Sequence, residues 1–256
     1  MIKAIIFDLD GTLYRGKTVI LGAVEKVAEL RKAGKKVFFL TNAATKSRTD
    51  VAAKLSGMGF DARKEEVVCG AYLLARYIAQ NHRGKKVFVV GERGIFDEFM
   101  EAGVATTAGE DADVVAVGLD RTFTYDKLCR AHINLRKGAL FLASNNDHVY
   151  PTEQGDLPGA GSIVAAIEFA SGKKPHIIGK PNPYALELLM KENRLKCDEV
   201  LMVGDRPDID IAFAKNCGIK SALVLTGTTK KEEMEKKGKD GRKPDYVLAS
   251  VADLKI

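Results

Sequence analysis

The feature that most constrains the fold is an alternation of short apolar runs with amphipathic stretches of helical period. Apolar runs at residues 3–7, 36–40 and 199–203 are each followed by a segment in which hydrophobic residues recur every three or four positions. Strands that are joined through helices in this way pair in parallel. The alternation therefore predicts an α/β protein built on a parallel sheet.

The same alternation begins again in the middle third of the chain, after the linker-like segment at residues 82–84. It predicts further strands and helices there, with an irregular loop at residues 144–158. The predicted strands cover residues 86–90, 113–118 and 139–143, and the predicted helices cover residues 95–102, 125–136 and 162–170. We therefore expect one α/β domain at residues 1–81 and 177–256, interrupted by a second, smaller α/β unit at residues 82–176.

Composition excludes several classes of protein. Hydrophobic residues make up 46% of the chain and charged residues 29%, which is typical of globular and not of disordered proteins. No apolar run is long enough to cross a membrane, and the apolar start at residues 2–9 is too short for a signal peptide. We expect a cytoplasmic protein without a membrane partner. The four cysteines form no CxxC pair, which argues against a zinc or redox motif.

The charge balance is mildly basic, with a formal net charge of +6 and an isoelectric point of about 9.0. Residues 230–243 contain seven basic and four acidic residues. A basic run can bind nucleic acid. Because the signs alternate on a predicted helix, a solvated helix face is the favoured interpretation, and we expect no nucleic-acid partner. The positive balance could help to attract an anionic substrate.

Polar side chains lie just beyond the carboxyl ends of several predicted strands. Asp8 follows the first strand, Thr41 and Asn42 follow the second, and Asp205 follows the strand at residues 199–203. Lys180 follows the short apolar pair at residues 177–178. This edge of a parallel sheet is where ligands bind. This edge would hold carboxylates, hydroxyl and amide donors, and a fixed cation. Such a combination indicates a magnesium-dependent phosphoryl-transfer site.

Asp8 and Asp10 stand two residues apart after a buried strand. Two carboxylates at that spacing repel each other unless a cation or a shared proton relieves them. The alternative is a strand-end turn in which both aspartates cap backbone amides. Gly11 permits a sharp turn, and the Thr12 hydroxyl can hydrogen-bond within the loop. These two residues favour the functional interpretation over that alternative.

Four segments of the chain resemble the signatures of one known family. Residues 7–14, Phe-Asp-Leu-Asp-Gly-Thr-Leu-Tyr, resemble the first signature of the haloacid dehalogenase superfamily. Residues 40–42 resemble the second signature, residues 179–183 the third, and residues 203–205 with Asp210 the fourth. Residues 145–153 and 158–162 resemble the subclass IIA branch of p-nitrophenyl, pyridoxal and phosphoglycolate phosphatases. The four signatures occur in order over nearly the whole chain, which makes the resemblance specific.

The resemblance implies a three-layer, Rossmann-like α/β core at residues 1–81 and 177–256, with an α/β cap domain inserted at residues 82–176. It also implies a mechanism for this chain. Asp8 attacks phosphorus and forms an aspartyl-phosphate, while the Asp8 carboxylate, the Asp10 backbone carbonyl and Asp205 hold Mg²⁺. The Asp10 side chain protonates the leaving group and then activates water. Lys180 balances charge and orients Asp8. Asp210 holds Asp205 or a metal-bound water from outside the ligand set.

The resemblance also assigns substrate contacts. Thr41 and the Asn42 amide bind phosphoryl oxygens together with Lys180. Related proteins commonly have a second asparagine where this chain has Ala43, so residue 43 offers a backbone amide and no side-chain contact. Tyr150 falls where this branch places a substrate-facing side chain, in a cap that excludes water and recognises the leaving group.

Each assigned residue also has an ordinary structural interpretation. Thr41 and Asp205 could cap the helices that follow them, and Lys180 could be a surface lysine beside a turn. Asp210 could be a surface acid, and Tyr150 could be a packed aromatic residue.

The expected function is hydrolysis of small phosphomonoesters, including p-nitrophenyl phosphate, with Mg²⁺ as cofactor and a small phosphorylated metabolite as substrate. A phosphotransferase or mutase of the same fold remains open, because Asp10 serves both chemistries. A non-enzymatic phosphate- or RNA-binding module is the third alternative. Dehalogenase chemistry is disfavoured, because that branch needs neither the metal nor the acid at Asp10. Cap surfaces often pair in such proteins, so a homodimer through the cap is a further expectation.

Overall fold

The structure is a computed structural model that describes residues 1–152, 155–229 and 243–255. The predicted basic helix at residues 230–243 falls almost entirely outside the described residues. None of the helices in the described part of the chain has the length and apolar content that a membrane crossing needs.

Strands and helices are numbered separately in chain order. The strands are β1 Ala4–Phe7, β2 Tyr14–Arg15, β3 Thr18–Val19, β4 Lys36–Thr41, β5 Val67–Cys69, β6 Val87–Val90, β7 Thr106–Thr107, β8 Val114–Val117, β9 Leu140–Ala143, β10 Val149–Thr152, β11 Gly155–Pro158, β12 His176–Ile177, β13 Val200–Gly204, β14 Lys220–Val224 and β15 Tyr246–Leu248. The helices are α1 Ala23–Lys32, α2 Arg48–Gly57, α3 Gly70–Asn81, α4 Arg93–Glu101, α5 Tyr125–Arg136, α6 Ala160–Ser171, α7 Tyr184–Asn193 and α8 Ala212–Asn216.

Contacts divide the chain into two compact units. The first unit comprises Met1–Thr41, Ala52–Val68 and Lys180–Ile256, and the second comprises Asn42–Val51 and Cys69–Gly179. Helix α3 belongs to the second unit in this division. The core and cap boundaries inferred above, at residues 81/82 and 176/177, stay a prediction.

The first unit is built on a six-stranded sheet in the order β15-β14-β13-β1-β4-β5. The central strand β1 pairs in parallel with β13 and β4, with Phe7 opposite both Val203 and Phe39. All four residues of β1 are buried, as expected for a parallel strand that is covered on both faces. The expectation of an α/β fold with a Rossmann-like parallel sheet is confirmed.

The second unit contains a five-stranded sheet in the order β12-β9-β8-β6-β7, and its pairs are parallel. Its apolar core joins Phe88, Val115 and Phe141 from the sheet with Leu135 of α5 and Ile167 of α6. The middle third of the chain is therefore a second α/β unit, as the repeated alternation predicts.

The prediction of an irregular loop at residues 144–158 is wrong for the second half of that range. Strands β10 and β11 form an antiparallel hairpin there, with Val149 opposite Pro158 and Thr152 opposite Gly155. Gly155 has a φ of 112°, a backbone conformation that favours glycine. The prolines in these strands obscured the hairpin, because proline ordinarily argues against a strand.

Further elements differ from the prediction, which also did not include strands β2, β3 and β7. Strand β5 was not predicted, because three apolar residues do not separate a strand from a buried helix turn. The single helix expected around residues 209–218 is divided, with a π-helical segment Pro207–Ile211 before α8. The Arg206 carbonyl accepts from Asp210 N at 2.8 Å and from Ile211 N at 3.3 Å, which widens this turn. Such turns are frequent at functional sites.

A buried ion pair stabilises the second unit. The Glu98 side chain is 2% exposed and accepts from Arg48 Nε at 3.0 Å, and its Oε1 also accepts from Arg48 N at 2.7 Å. Removing one member of a buried pair leaves the other uncompensated.

We predict that Glu98→Ala lowers the free energy of unfolding by about 3 kcal/mol. The control is Glu101→Ala, since Glu101 also pairs with Arg48 at 2.9 Å but is 49% exposed, and it should cost less than about 1 kcal/mol. Urea denaturation measures both values. Equal losses in the two variants would contradict a special role for the buried pair.

Candidate active site

Three carboxylates meet at the carboxyl edge of the first unit's sheet. Asp8 follows β1, and its backbone N donates to Val203 O of the neighbouring strand at 2.8 Å. Asp205 follows β13, and Asp210 lies in the π-helical segment that comes next. One oxygen from each of the three side chains lies within 4.8 Å of the other two. The parallel pairing of β1 and β13 is what places Asp8 and Asp205 together.

The backbone around Asp210 is shaped by glycine and by the π-helical turn. A Cβ atom at Gly204 would collide with the Asp210 side chain, so this position requires glycine. Asp210 Oδ2 accepts from Arg206 N at 3.1 Å, and the Asp210 side chain is 1% exposed. Asp210 is therefore a fixed, buried group, and the interpretation of a surface acid does not fit the structure.

Lys180 joins two of these carboxylates. Its ammonium donates to Asp8 Oδ1 at 2.6 Å, to Asp210 Oδ1 at 2.7 Å and to Leu40 O at 3.3 Å. Lys180 is 3% exposed, so it is not a surface lysine. Burial alone would lower the pKa of Lys180, but the carboxylates of Asp210 and Asp8 outweigh burial and raise it. The amine is therefore a permanent cation between two acids.

One ammonium does not compensate three carboxylates, of which Asp205 and Asp210 are buried and Asp8 is half-buried. Burial raises the pKa of Asp8 well above its ordinary value against the opposing effect of Lys180, and Asp210 and Asp205 raise it further. Burial, with the nearby charge of Asp210, also raises the pKa of Asp205 to about 6. Repulsion of this kind is relieved when a cation occupies the cluster.

The oxygen donors fit a hard divalent cation. Asp205 Oδ2 accepts from Thr228 N at 2.8 Å and from Thr228 Oγ1 at 3.1 Å, while no described residue donates to Oδ1. Asp8 Oδ1 accepts from Lys180, and its Oδ2 likewise receives no hydrogen bond within the described chain. Two carboxylate oxygens are thus available, and a set made of oxygen ligands suits Mg²⁺.

Asp10 lies outside this cluster of three carboxylates. It is half-buried and forms an isolated bridge with Tyr14. Burial raises the pKa of Asp10, and the positive charges of Lys54 and Arg15 oppose that effect. The Lys54 ammonium lies 3.8 Å from the centre of the Tyr14 ring. A carboxyl group with a raised pKa is suited to proton transfer.

The predicted phosphate-binding residues fall at the point where the two units divide. Thr41 is the last residue of β4 and belongs to the first unit, whereas Asn42 and Ala43 belong to the second. Asn42 is buried and Ala43 is exposed. Ala43 O accepts from Gly70 N at 3.0 Å. The phosphate contacts of these three residues stay a prediction.

Tyr150 lies on β10 of the second unit and is half-buried. It takes part in the environment of Arg121, whose pKa is raised chiefly by Glu92 and further by Tyr150. Glu92 accepts from Arg121 Nη2 at 2.6 Å. This arrangement shows a protein partner for the tyrosine, and its substrate contact stays a prediction.

Sequence reasoning missed the segment at residues 226–228. Thr226 Oγ1 donates to Gly11 O at 2.7 Å, and Thr228 donates to Asp205 as described above. Cβ atoms at Gly11 and Gly227 would crowd the Asp205 carboxylate, so both glycines give it room. The segment follows β14, which is the neighbour of β13 in the sheet. The rule that polar residues gather at strand ends would have found it.

Comparison with known proteins gives a consistent result. A haloacid dehalogenase-like hydrolase model matches residues 5–105, and a second HAD-hydrolase-like model matches residues 177–254. The chain is 37% identical to an acid sugar phosphatase of Staphylococcus haemolyticus over 99% of this chain and 94% of that protein.

Solved structures agree with that match. The 4-nitrophenylphosphatase of Thermotoga maritima superposes with a TM-score of 0.92 at 34% identity, over 98% of this chain and 95% of that one. A glycerol phosphate phosphatase of Mycobacterium tuberculosis, crystallised with magnesium, gives a TM-score of 0.90 at 34% identity, over 97% of this chain and 75% of that one.

These matches extend over nearly the whole chain, and they place the protein in the class of phosphoric monoester hydrolases. The chain belongs to the haloacid dehalogenase-like hydrolase family. The resemblance drawn from its sequence signatures, including that to the subclass IIA phosphatases, is confirmed.

We predict that Asp205→Asn stabilises the metal-free protein at about pH 8 by about 3 kcal/mol. The pKa of Asp205 is raised from 3.8 to about 6 in the folded state, so the folded wild type loses stability as pH rises through that interval. Asparagine removes this loss, and the gain should vanish below about pH 3, where the wild-type carboxyl is mostly protonated in both states.

Thermal or urea unfolding in chelator, at both pH values, measures the difference between wild type and variant. Asp208→Asn is the matched control, because Asp208 is 51% exposed. A variant that is less stable than wild type at the higher pH would contradict the account of an uncompensated carboxylate.

Proposed function

We propose that this protein is a magnesium-dependent phosphatase that hydrolyses small phosphomonoesters through an aspartyl-phosphate on Asp8. The observation that carries the proposal is the buried cluster in which Lys180 contacts both Asp8 and Asp210, with Asp205 beside them. A nucleophile, a fixed cation and further carboxylates at one sheet edge form the equipment that phosphoryl transfer needs.

The metal site of the proposal consists of the Asp8 carboxylate, the Asp205 carboxylate and the Asp10 backbone carbonyl. Asp210 supports the site from outside, because both of its oxygens already accept hydrogen bonds, from Lys180 and from Arg206 N. A bound Mg²⁺ supplies neutralisation of the negative charge that otherwise repels an anionic nucleophile from a phosphate ester.

Transfer begins when the Asp8 carboxylate attacks phosphorus. The bond between phosphorus and the leaving oxygen breaks, and Asp10 donates its proton to that oxygen. Water then attacks the phosphorus of the aspartyl-phosphate, and Asp10 accepts the proton that the water loses. Inorganic phosphate leaves, and Asp8 is restored. Lys180 holds the Asp8 oxygen at 2.6 Å and so keeps the nucleophile aimed during both steps.

Phosphoryl oxygens are bound, in this proposal, by Thr41 and by the backbone amides of Asn42 and Ala43, together with Lys180. The division into a core at residues 1–81 and 177–256 and a cap at residues 82–176 assigns recognition of the leaving group to the middle of the chain. Tyr150 is the residue proposed for that contact. Pairing of two chains through the cap stays a prediction.

The printed names of the relatives support small monoesters as the substrate class. They name phosphatases of sugar phosphates, of 4-nitrophenyl phosphate and of glycerol phosphate. Each of these is a single phosphate on a small alcohol or phenol. We therefore propose a small phosphorylated metabolite as substrate.

We predict that the purified protein hydrolyses p-nitrophenyl phosphate in Mg²⁺ and loses the activity in EDTA, because the clustered carboxylates need the cation's charge. Asp8→Asn should lower kcat by about a thousandfold or more, since it removes the nucleophile. Release of p-nitrophenol at constant pH is the measurement. Equal rates in Mg²⁺ and in chelator would refute the proposal.

We predict that Asp10→Asn lowers kcat by about a hundredfold or more, because a single group serves both proton transfers. Asp208→Asn is the control, since the Asp208 side chain is exposed and pairs with Arg206, and its kcat should stay near the wild-type value. The measurement is repeated with phosphate esters whose leaving groups differ in pKa. The loss of activity in Asp10→Asn should be smaller for p-nitrophenyl phosphate than for an alkyl phosphate, because an alkoxide leaving group depends more on protonation.

A further inference from the structure

A short segment of the second unit holds the loop that follows β4. Asn145 Nδ2 donates to Asn42 O at 2.8 Å, across 103 residues of sequence. The Asn42 side-chain amide donates to Asp147 Oδ2 at 3.3 Å. Asn145 Oδ1 in turn accepts from Asp147 N at 3.0 Å, so the two contacting residues are tied to each other. Asn42 is thus held through its backbone and through its side chain.

Close backbone packing leaves this loop little room to move. A Cβ atom at Gly70 would collide with Asn42 O, and a Cβ atom at Gly179 would collide with Ser144 O. Gly70 N donates to Ala43 O at 3.0 Å, and Gly179 N donates to Ser144 O at 2.8 Å. Asn145 is 5% exposed and Ser144 is 0% exposed. The hydrogen bonds therefore act on a tightly packed backbone.

The contact with Asn42 O determines where an amide points. The Asn42 carbonyl and the Ala43 N–H belong to one planar, trans peptide unit, so they point in opposite directions. When Asn145 holds the carbonyl oxygen from one side, the Ala43 N–H is directed to the other side. A hydrogen bond to the carbonyl also polarises the amide and strengthens its donor.

The orientation of the backbone amide matters at residue 43 because its side chain is only a methyl group. Ala43 has no side chain that could donate to an anion, so the backbone N–H is what residue 43 can offer. An amide donor stabilises a phosphoryl oxygen when it is directed at it before binding, because no reorganisation is then required.

We propose that Asn145 and Asp147 are positioning residues that hold Asn42 so that the backbone amide of Ala43 is directed towards a bound phosphoryl group. The inference rests on the proposed function, since it assumes that this loop binds phosphate. Neither residue touches the substrate: Asn145 acts through the Asn42–Ala43 peptide unit, and Asp147 acts through the Asn42 side chain.

The same segment also supports the hairpin of β10 and β11. Gly159 N donates to His148 O at 2.7 Å, and Gly161 N donates to Asp147 O at 2.9 Å. Residues 144–148 thus connect the loop after β4 with the base of the hairpin that carries Tyr150. Loss of the Asn145 contact should therefore affect phosphate binding without removing the hairpin's own pairing.

The experiment compares Asn145→Ala with Asn146→Ala. Asn146 is the matched control, because it is the adjacent residue of the same type and its side chain is exposed. The measurements are kcat and KM for p-nitrophenyl phosphate and the inhibition constant of inorganic phosphate. Asn145→Ala should lower kcat/KM and weaken phosphate inhibition, each by about tenfold, whereas Asn146→Ala should stay within about twofold of wild type.

Asp147 provides a second, independent pair of variants. Asp147→Ala removes the acceptor and should weaken phosphate inhibition by about fivefold. Asp147→Asn keeps an oxygen acceptor at the same place and should restore most of that loss. If Asp147 were important only for stability, Asp147→Ala would lower the melting temperature and Asp147→Asn would not restore phosphate affinity. Thermal unfolding is therefore recorded for every variant.

The outcomes separate the inference from the function on which it rests. An active wild type whose phosphate inhibition is unchanged by Asn145→Ala and Asp147→Ala would overturn the inference and leave the phosphatase proposal intact. If the wild type hydrolyses no ester, thermal stabilisation by phosphate with Mg²⁺ is measured instead. Weaker stabilisation in Asn145→Ala than in Asn146→Ala would support the positioning role, and no difference between them would overturn it.

Discussion

The contact of the buried Lys180 ammonium with Asp8 and Asp210 is the interaction on which the proposed site depends. Its two short hydrogen bonds, 2.6 and 2.7 Å, join residues from segments far apart in sequence. Buried charges are costly unless they are paired, and one ammonium is too little for three carboxylates. The remaining negative charge, including that of Asp205, is the charge that a divalent cation would neutralise in the proposed site. We propose that the uncompensated carboxylates lower the stability of the metal-free protein and raise its affinity for such an ion.

The order of strands explains how this cluster arises. Strand β1 lies between β13 and β4 in the sheet, so the residues after β1 and β13 emerge side by side at one edge. The π-helical segment after Asp205 returns Asp210 to the same place, which the missing side chain of Gly204 permits. Lys180 enters from a separate segment after β12. A parallel sheet therefore converts distant sequence positions into one group of side chains.

Much of this arrangement could be predicted from sequence, because it follows local rules. Apolar alternation indicated the parallel sheet, and polar residues after strand ends indicated Asp8, Lys180 and Asp205. The hairpin of β10 and β11 was missed because its prolines argue against strands. The segment that contains Thr228 was missed although it follows the end of β14, because the rule of polar residues at strand ends was not applied to that strand. The Asn145 contact with Asn42 spans 103 residues, and only the packed backbone reveals it.

The central claim is that the carboxylates after β1 and β13 bind one divalent cation. Titration calorimetry with Mg²⁺ in the absence of substrate tests it most directly, on wild type and on Asp205→Asn. We expect one ion per wild-type chain and about a tenfold or greater loss of affinity in the variant, because a ligand oxygen of the proposed site is replaced by a weaker one. Binding of equal affinity to both proteins, or no binding to the wild type, would contradict the account.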